Sequence, residues 1–596
     1  MMDWSQELLG STIWLGEAMA ITLLASALAI WLLTRFTVWG RQFWRLAGDF
    51  FQPAKNGWRP LLAILLILLI TLAGVRVNVL FSNWYNGMYT ALQKWDAKLF
   101  WTSMWIFAAL ATVHVGRSLL EYYLQQAFVI RWRQWLNESM LKRWLNRQAY
   151  YRTAHLTNPS DNPDQRIQQD IASFVSSSLS LSMGVIDALV STFEFTLILW
   201  GLSGVLTLLG VDIPRGMVFM VYIYVIIATV LAFRIGKPLI RLNFLNEKLG
   251  ADYRYSLIRL REYGESVAFY RGEAVEGRTL RHRFDNIIDN VWQIVFRSLK
   301  FSGFNLIVSQ TAAVFPFLIQ AKRFFAKQIS LGDMVQTAQA FGQLQGNLSF
   351  FRSAYDSFAE YKAVLDRLTG FMDAVEAAAH LPQPTHTLRD SGLTLHGLNV
   401  RRPDQQPLLS KLDLTLDGGQ ALLIRGPSGS GKTTLLRAIA GLWPYCDGQM
   451  QHPWPDQLLF LSQRPYLPLG TLRDALYYPN QAGHDDSAAM ATLQAVHLGH
   501  LTTKLDVDTD WSHTLSLGEQ QRLAFGRLLL AAPRVAFLDE ATSAMDEGLE
   551  DTLYRLLRER LPHTTLISVG HRSSLLAHHD RQLLLQGGGG WQLQAC

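Results

Sequence analysis

Cysteine is nearly absent: the 596 residues hold only Cys446 and Cys596. Two such distant thiols give neither a disulfide framework nor metal-ligand spacing. Charge is also scarce, 17% Asp, Glu, Lys and Arg against about 25% in soluble domains, which excludes an ordinary soluble enzyme. Aromatic residues are not scarce: 12% aromatic and 49% apolar residues exclude a disordered chain. Lys and Arg outnumber Asp and Glu by 54 to 48, leaving +6. That excess suits either nucleic acid or cytoplasmic loops facing anionic lipid, so its position decides its meaning. The mean hydropathy of +0.10 lies between membrane and soluble values and reads as an average over two unlike parts.

Long apolar runs are lacking after about residue 351 and crowd the part before it. A membrane span needs about 20 residues, and candidates lie near 18–36, 61–80, 100–124, 181–208, 215–233 and 301–322. A seventh, 331–351, is too polar to face lipid and suits a helix packed inside a bundle or lining a cavity. Seven spans put the termini on opposite sides, and the distribution of positive charge gives the orientation. Segments 35–59, 125–179 and 234–300 hold 5, 7 and 13 Lys and Arg, whereas 1–17, 81–98, 208–215 and 322–330 hold 0, 2, 1 and 3. The first set is therefore expected inside, the N-terminus in the periplasm and everything after 352 in the cytoplasm. The start, MMDWSQELLG, is acidic and no small-residue cleavage site follows, so the first helix is expected to stay as an anchor. The long inside segments carry helical periodicity, as in VIRWRQWLNESMLKRWL, and read as transmembrane helices continuing into the cytoplasm.

Pro382, Pro384, Asp390 and Gly392 mark an exposed linker over 370–391. Beyond it the pattern changes to short strands and turns. The buried strand 421–425 (ALLIR) runs into Gly426, Pro427, Ser428, Gly429, Ser430, Gly431, Lys432, Thr433 and Thr434, then an apolar helix. This is the phosphate-binding loop G-x-x-x-x-G-K-[ST] in its required strand, loop and helix setting. The glycines let backbone N–H groups converge on phosphate oxygens, Lys432 reaches the β/γ-phosphates, and Thr433 offers a hydroxyl to Mg²⁺. Residue frequencies give roughly 0.02 accidental matches in a chain of this length. A second strand, Val535 to Leu538, delivers the acid pair Asp539 and Glu540. Asp539 is placed to hold Mg²⁺, and Glu540 to orient or deprotonate the attacking water. Alone, two acids after a strand are ordinarily just a turn; the phosphate loop upstream reverses that reading.

Between these motifs, LSLGEQQRLAFGRLLL at 515–530 resembles the signature motif of ATP-binding cassette (ABC) proteins, usually LSGGQ. The companions follow in order: a strand ending in Gln463, the SAMD segment with Asp546, and a strand ending at His571. Ser516 and Gly518 begin a helix whose N-terminus can point at a phosphate. In the ABC family that phosphate belongs to ATP on the opposite subunit's loop, so one cassette per chain implies a homodimeric half-transporter. Carried over by motif, Gln463 would link Mg²⁺ and water to the membrane domain, and His571 would contact the γ-phosphate. Leu517 stands where the general motif has Gly. No aromatic adenine platform stands upstream of the phosphate loop, where Arg401, Arg402 and Pro403 lie instead; Arg402 could stack through its guanidinium.

NVLFSNWYNGMYTALQKWD at 78–96, NPDQRI at 162–167, GESVAFYRGE at 264–273 and GTLRDALYYP at 470–479 resemble one branch of the family. That branch holds the SbmA/BacA-type peptide importers, the peroxisomal fatty-acyl-CoA half-transporters and the bacterial YddA-type proteins. The resemblance implies an exporter-type α-helical membrane domain of six core helices plus one N-terminal helix, followed by an α/β P-loop cassette. The division is 1–59, an N-terminal transmembrane helix with a basic segment; 60–369, the membrane domain; 370–391, the linker; and 392–596, the cassette. It also implies docking on the cassette by short helices around 162–170 and 262–273. Glu194, inside a span, is a candidate for binding solute or a proton, or a structural carboxyl. His114, Arg117 and Glu121 share one helix face and read as an interior polar stripe or a helix-end network rather than a site. The expected activity is ATP-driven transport of a bulky or amphipathic solute, such as a peptide or acyl compound, across an inner membrane, with ATP and Mg²⁺ as cofactors. The alternative is a nucleotide-gated channel or regulatory protein without turnover. Nucleic acid is excluded as a partner, because 25 of the 54 basic residues lie in three membrane-flanking segments rather than in an aromatic-lined groove.

Overall fold

A computed structural model of the chain describes residues 4–157, 162–204, 206–208, 211–481 and 485–596. The chain forms two units: residues up to Leu141 with Asn162–Phe371, and residues 142–157 with Met372–Cys596.

The first unit is helical. Its long helices are α1 (Trp4–Phe36), α2 (Val38–Phe51), α3 (Arg59–Gln93), α4 (Ala97–Leu145), α5 (Ile171–Leu202), α6 (Gly216–Glu262), α7 (Glu273–Phe325) and α8 (Leu331–Ala379). Among the described residues, six helices are long and apolar enough to cross a membrane: α1 and α3 to α7. At 1.5 Å per residue the 49 residues of α4 span about 74 Å, against about 30 Å of bilayer hydrocarbon. Helices α6, α7 and α8, with 47, 53 and 49 residues, are of the same order, so each exceeds the hydrocarbon thickness. Helix α8 has the length but not the apolarity. Its Gln336 and Thr337 are buried and satisfied by other helices: Asn86 Nδ2 donates to Gln336 Oε1 at 2.8 Å, Gln336 Nε2 to Asn83 Oδ1 at 2.8 Å, and Gln320 Nε2 to Thr337 Oγ1 at 3.4 Å. Phe341 and Leu344, on the same helix, join Phe195, Leu199, Val221 and Ala312 in one apolar cluster.

Two boundaries differ from expectation. The span expected to reach 208 ends as helix at Leu202, and 206–208 pairs as a short strand with 211–213. Arg323 Nη1 donates to the Leu202 carbonyl at 3.3 Å, and Ser203 Oγ accepts from the Met217 amide at 3.2 Å; these side chains satisfy the end groups that further helix would have used. Positions 209 and 210 of the expected outside loop 208–215, and 1–3 of the N-terminal segment, lie outside the described residues. The first ten residues expected as linker, 370–379, continue α8, because four of the seven residues in DAVEAAA are alanine, the best helix former, and Phe371, Met372, Val375 and Ala378 are buried. Pro382 and Pro384 then prevent continuation.

The second unit holds strands β1 (Thr385–Leu388), β2 (Leu393–Arg401), β3 (Pro407–Leu416), β4 (Ala421–Arg425), β5 (Cys446–His452), β6 (Leu458–Leu461), β7 (Val535–Asp539), β8 (Thr565–Val569), β9 (Arg581–Gly587) and β10 (Gly590–Ala595). Its main helices are α9 (Lys432–Ile439), α10 (Leu517–Ala531) and α11 (Glu547–Arg560). A four-stranded sheet runs β1-β5-β2-β3 and a six-stranded one β10-β9-β4-β8-β7-β6. In the second, β9, β4, β8, β7 and β6 are parallel. Parallel strands covered on both faces read as continuous apolar runs, and alternate residues of β7 enter opposite cores: Ala536 and Leu538 one, Val535 and Phe537 the other. The order β4-β8-β7 sets three carboxyl ends side by side, the position where parallel α/β sheets bind ligands.

Candidate nucleotide-binding site

The loop after β4 adopts a backbone only glycine takes easily. Gly426, Gly429 and Gly431 have φ of +153°, +79° and +99°, and a Cβ on Gly426 would lie 2.5 Å from the Leu585 carbonyl oxygen. Lys432, buried at the start of α9, donates from Nζ to the Gly426 and Pro427 carbonyls at 2.9 and 3.0 Å. Its ammonium is thus folded over the loop it serves. Ser428 is exposed, Ser430 is buried, and Thr433 and Thr434 are half-buried on the first turn of α9. Among the described residues, the enclosed Ser430 hydroxyl meets no protein partner. Buried hydroxyls are normally paired, so an oxygen-rich ligand in the loop would satisfy it.

From β7 come the two acids. Thr433 Oγ1 donates to Asp539 Oδ1 at 3.2 Å. Burial, and then Glu540 beside it, push the Asp539 carboxyl above its usual range, while the Thr433 hydroxyl opposes them. Glu540 takes a left-handed φ of +49°, a conformation uncommon for a residue with a side chain, and its amide donates to the Val569 carbonyl at 3.1 Å. This turn separates the two carboxylates. Glu540 Oε2 accepts from Gln463 Nε2 at 3.1 Å, and Oε1 lies 3.4 Å from His571 Nε2. Each predicted member of this cluster leaves the end of a parallel strand or follows it: Gln463 after β6, Glu540 after β7, His571 after β8.

The remaining motif residues serve their own helices. Ser516 caps α10 with Glu519 in a reciprocal capping box: the Glu519 amide donates to Ser516 Oγ at 3.4 Å, and Glu519 Oε2 accepts from the Ser516 amide at 3.0 Å and hydroxyl at 2.8 Å. Burial would raise the Glu519 carboxyl, but these hydrogen bonds hold it below its usual range. Gly518 lies so close to the 541–546 loop that a Cβ would stand 3.0 Å from the Ala544 carbonyl oxygen. Asp546 caps α11, accepting from the Leu549 amide at 2.8 Å. Sequence reasoning overlooked Glu519, although S-x-x-E is itself a capping signal. It also overlooked Gln521, for which a lone glutamine on a helix gives no signal.

Arg402 is exposed in a turn closed by its amide on the Gln406 carbonyl at 2.9 Å. The strand that follows brings Leu408 against Gly431, which places the turn next to the phosphate loop. Arg401 is instead paired with Asp447 at 2.5 Å.

Residues 162–170 and 262–273 group with the membrane helices, and 142–157 with the cassette. Buried Arg152 donates to the Leu381 and Pro382 carbonyls at 2.7 and 3.3 Å. His155 packs edge-on against Trp443 and Tyr445, and the Tyr445 hydroxyl donates to the His155 carbonyl at 3.2 Å.

In the membrane unit, Glu194 Oε1 accepts from the Trp14 indole at 3.0 Å. Arg76 donates to Glu7 and, at 3.1 Å, to Ser11, and its guanidinium lies 5.7 Å from the Trp14 ring. Arg117 pairs with Glu121 at 2.5 Å, and Glu121 also accepts from Thr71 at 2.9 Å. Those contacts make Arg117 and Glu121 part of an interhelical network. His114 packs edge-on against Phe81.

Residues 50–325 match a family model described as ABC transporter transmembrane region 2, and 409–543 one described as ABC transporter. An uncharacterized ABC transporter ATP-binding protein of Haemophilus influenzae is 53% identical over 99% of this chain and 100% of its own. The inner membrane ABC transporter ATP-binding protein YddA of Escherichia coli is 32% identical over 88% of this chain and 93% of its own. The solved structure of a bacterial Atm1-family ABC exporter with ATP bound shares the fold, with a TM-score of 0.68 at 19% identity over 88% of this chain and 93% of that one. With its two motif-bearing units in one chain, the protein belongs to the ABC transporter family and is an ATP-hydrolysing, multi-pass half-transporter related to YddA.

Proposed function

We propose that the chain works as a homodimer in a bacterial inner membrane, its N-terminus periplasmic and its cassette cytoplasmic, and moves a bulky or amphipathic solute such as a peptide or acyl compound. The observation that carries the catalytic reading is the convergence of Gln463, Glu540 and His571 beside the Thr433 and Asp539 pair. Lys432 swings from the loop carbonyls to the β/γ-phosphates, and the loop amides cradle the phosphate oxygens. Glu540 orients the attacking water and takes its proton, with Gln463 and His571 holding its two oxygens. Thr433, Asp539 and Gln463 form a hard oxygen-donor set that fits Mg²⁺. Mg²⁺, when bound there, would supply charge neutralisation of the phosphate oxygens. Ser516, Gly518 and Asp546, placed at the starts of α10 and α11, serve the partner's nucleotide.

The branch resemblance that includes SbmA/BacA-type importers and peroxisomal acyl-CoA transporters supports the choice of solute class. Glu194 supports a role in transport or in holding the N-terminal helix; neutralising it impairs transport and leaves basal hydrolysis intact in the first case. The decisive experiment is ATP turnover by the purified protein and its Glu540→Gln variant. Turnover falls at least about 100-fold while ATP stays bound; a variant that hydrolyses at the normal rate removes Glu540 from the mechanism. Uptake into oriented proteoliposomes, comparing peptides with acyl compounds, then fixes substrate and direction.

A further inference from the structure

Gln521, on the second turn of α10, is completely buried. Its amide has two N–H donors and one carbonyl acceptor to satisfy, and all are used. Nε2 donates to the Gln463 carbonyl at 2.8 Å and to Ser543 Oγ at 3.1 Å, and Oε1 accepts from the Ala544 amide at 3.0 Å. The partners fix which end is which. Turning the amide over would set oxygen against the Gln463 carbonyl and NH₂ against the Ala544 N–H. One side chain therefore joins three segments: the signature helix, the turn after β6 that carries Gln463, and the loop that carries Asp546. Neither Gln463 nor residues 541–544 belong to a helix or strand, so no backbone ladder holds them at these positions.

We propose that Gln521 is a positioning residue for ATP hydrolysis. It ties Gln463, whose own amide meets Glu540, and the Asp546 loop to the amino end of α10. The helix end that receives the partner's phosphate and the cluster that orients water then move together. Gln521 itself touches no nucleotide. The proposal rests on the nucleotide-site reading given above.

The test uses the full-length dimer in lipid nanodiscs, with steady-state ATP hydrolysis, binding of trinitrophenyl-ATP and thermal unfolding. Gln521→Glu keeps the shape but replaces the NH₂ donor by an oxygen facing the Gln463 carbonyl. Expected is a kcat lowered about 10- to 100-fold with KM for ATP and analogue affinity within about twofold of wild type. An unchanged kcat overturns the proposal, as does a fall in affinity and unfolding temperature with kcat per folded protein preserved. Ser543→Ala removes one of the three bonds at an exposed position and is expected to lower kcat about threefold. Should Gln521→Glu not fold, an unaltered kcat in Ser543→Ala overturns the proposal by itself. Normal turnover by Glu540→Gln would mark failure of the site reading instead, so the two failures are distinguishable.

Discussion

His579 shows how one buried side chain makes the cassette's stability depend on pH. It is 6% exposed, with Nδ1 2.7 Å from the Leu575 carbonyl oxygen and Nε2 2.9 Å from Ser568 Oγ. A carbonyl only accepts, so Nδ1 carries the proton and Nε2 accepts from the serine. Burial pushes the imidazole down to about 4, although the hydrogen bond to Leu575 pulls the other way. Between about pH 6.5 and 4 the unfolded chain binds a proton that the folded one refuses, so its contribution is complete above 6.5 and is lost as pH falls toward 4. The full effect is about 3 kcal/mol. Thermal unfolding of the full-length protein between pH 7.5 and 5 is expected to show the cassette transition falling with acidification, with a flatter slope in His579→Gln. Equal slopes in the two proteins would assign the loss to another group.

Among the elements, α1 shows what a helix can carry besides apolar length. Glu7, Ser11 and Trp14 repeat at i, i+4 and i+7, one helical face, and that face meets Arg76 on α3 and Glu194 on α5. In an apolar setting such bonds hold helices together, at about 0.6 kcal/mol each on average and up to about 1.7. A double-mutant cycle of Trp14→Phe with Glu194→Gln, read by unfolding in lipid, is expected to give a coupling of about 1 kcal/mol. Additive effects would mean that the indole contributes nothing to holding Glu194. This contact also marks where the sequence stops being legible. The six membrane-crossing helices are foreshadowed by apolar runs, and the strand ends with their phosphate loop and acid pair by local motif, because both signals lie within a few consecutive residues; α2 lies in a segment legible only as basic. The partner of Glu194 lies 180 residues away, and nothing near Glu194 encodes it. The place of Arg152 is illegible for a similar reason: it is one basic residue among many in sequence, and only folding brings it to the Leu381 and Pro382 carbonyls. The linker was read too early because Gly370 and the run of alanines after it carry no turn signal strong enough to stop a helix.

For the whole molecule, 25 of the 54 basic residues lie in three segments flanking the membrane helices, and the proposed mechanism takes two copies. In the proposed homodimer each complete site takes its phosphate loop from one copy and its signature helix from the other. A C₂ interface makes that exchange reciprocal, which can be tested without knowing the solute. Lys432→Ala breaks both sites of its homodimer, and Ser516→Arg breaks both sites of its own. In a mixed dimer one site carries both lesions, while the other takes Lys432 from the signature variant and Ser516 from the loop variant and is intact. Random mixing makes half of the dimers mixed with one good site each, so co-expression is expected to restore about a quarter of wild-type hydrolysis if the sites act independently. Strict coupling of the two sites lowers that figure, and it is separated from absence of a shared site by ATP trapping: a mixed dimer retains one nucleotide under conditions where either homodimer retains none. No recovery of either hydrolysis or trapping would place both halves of the site within a single chain and remove the dimer from the mechanism.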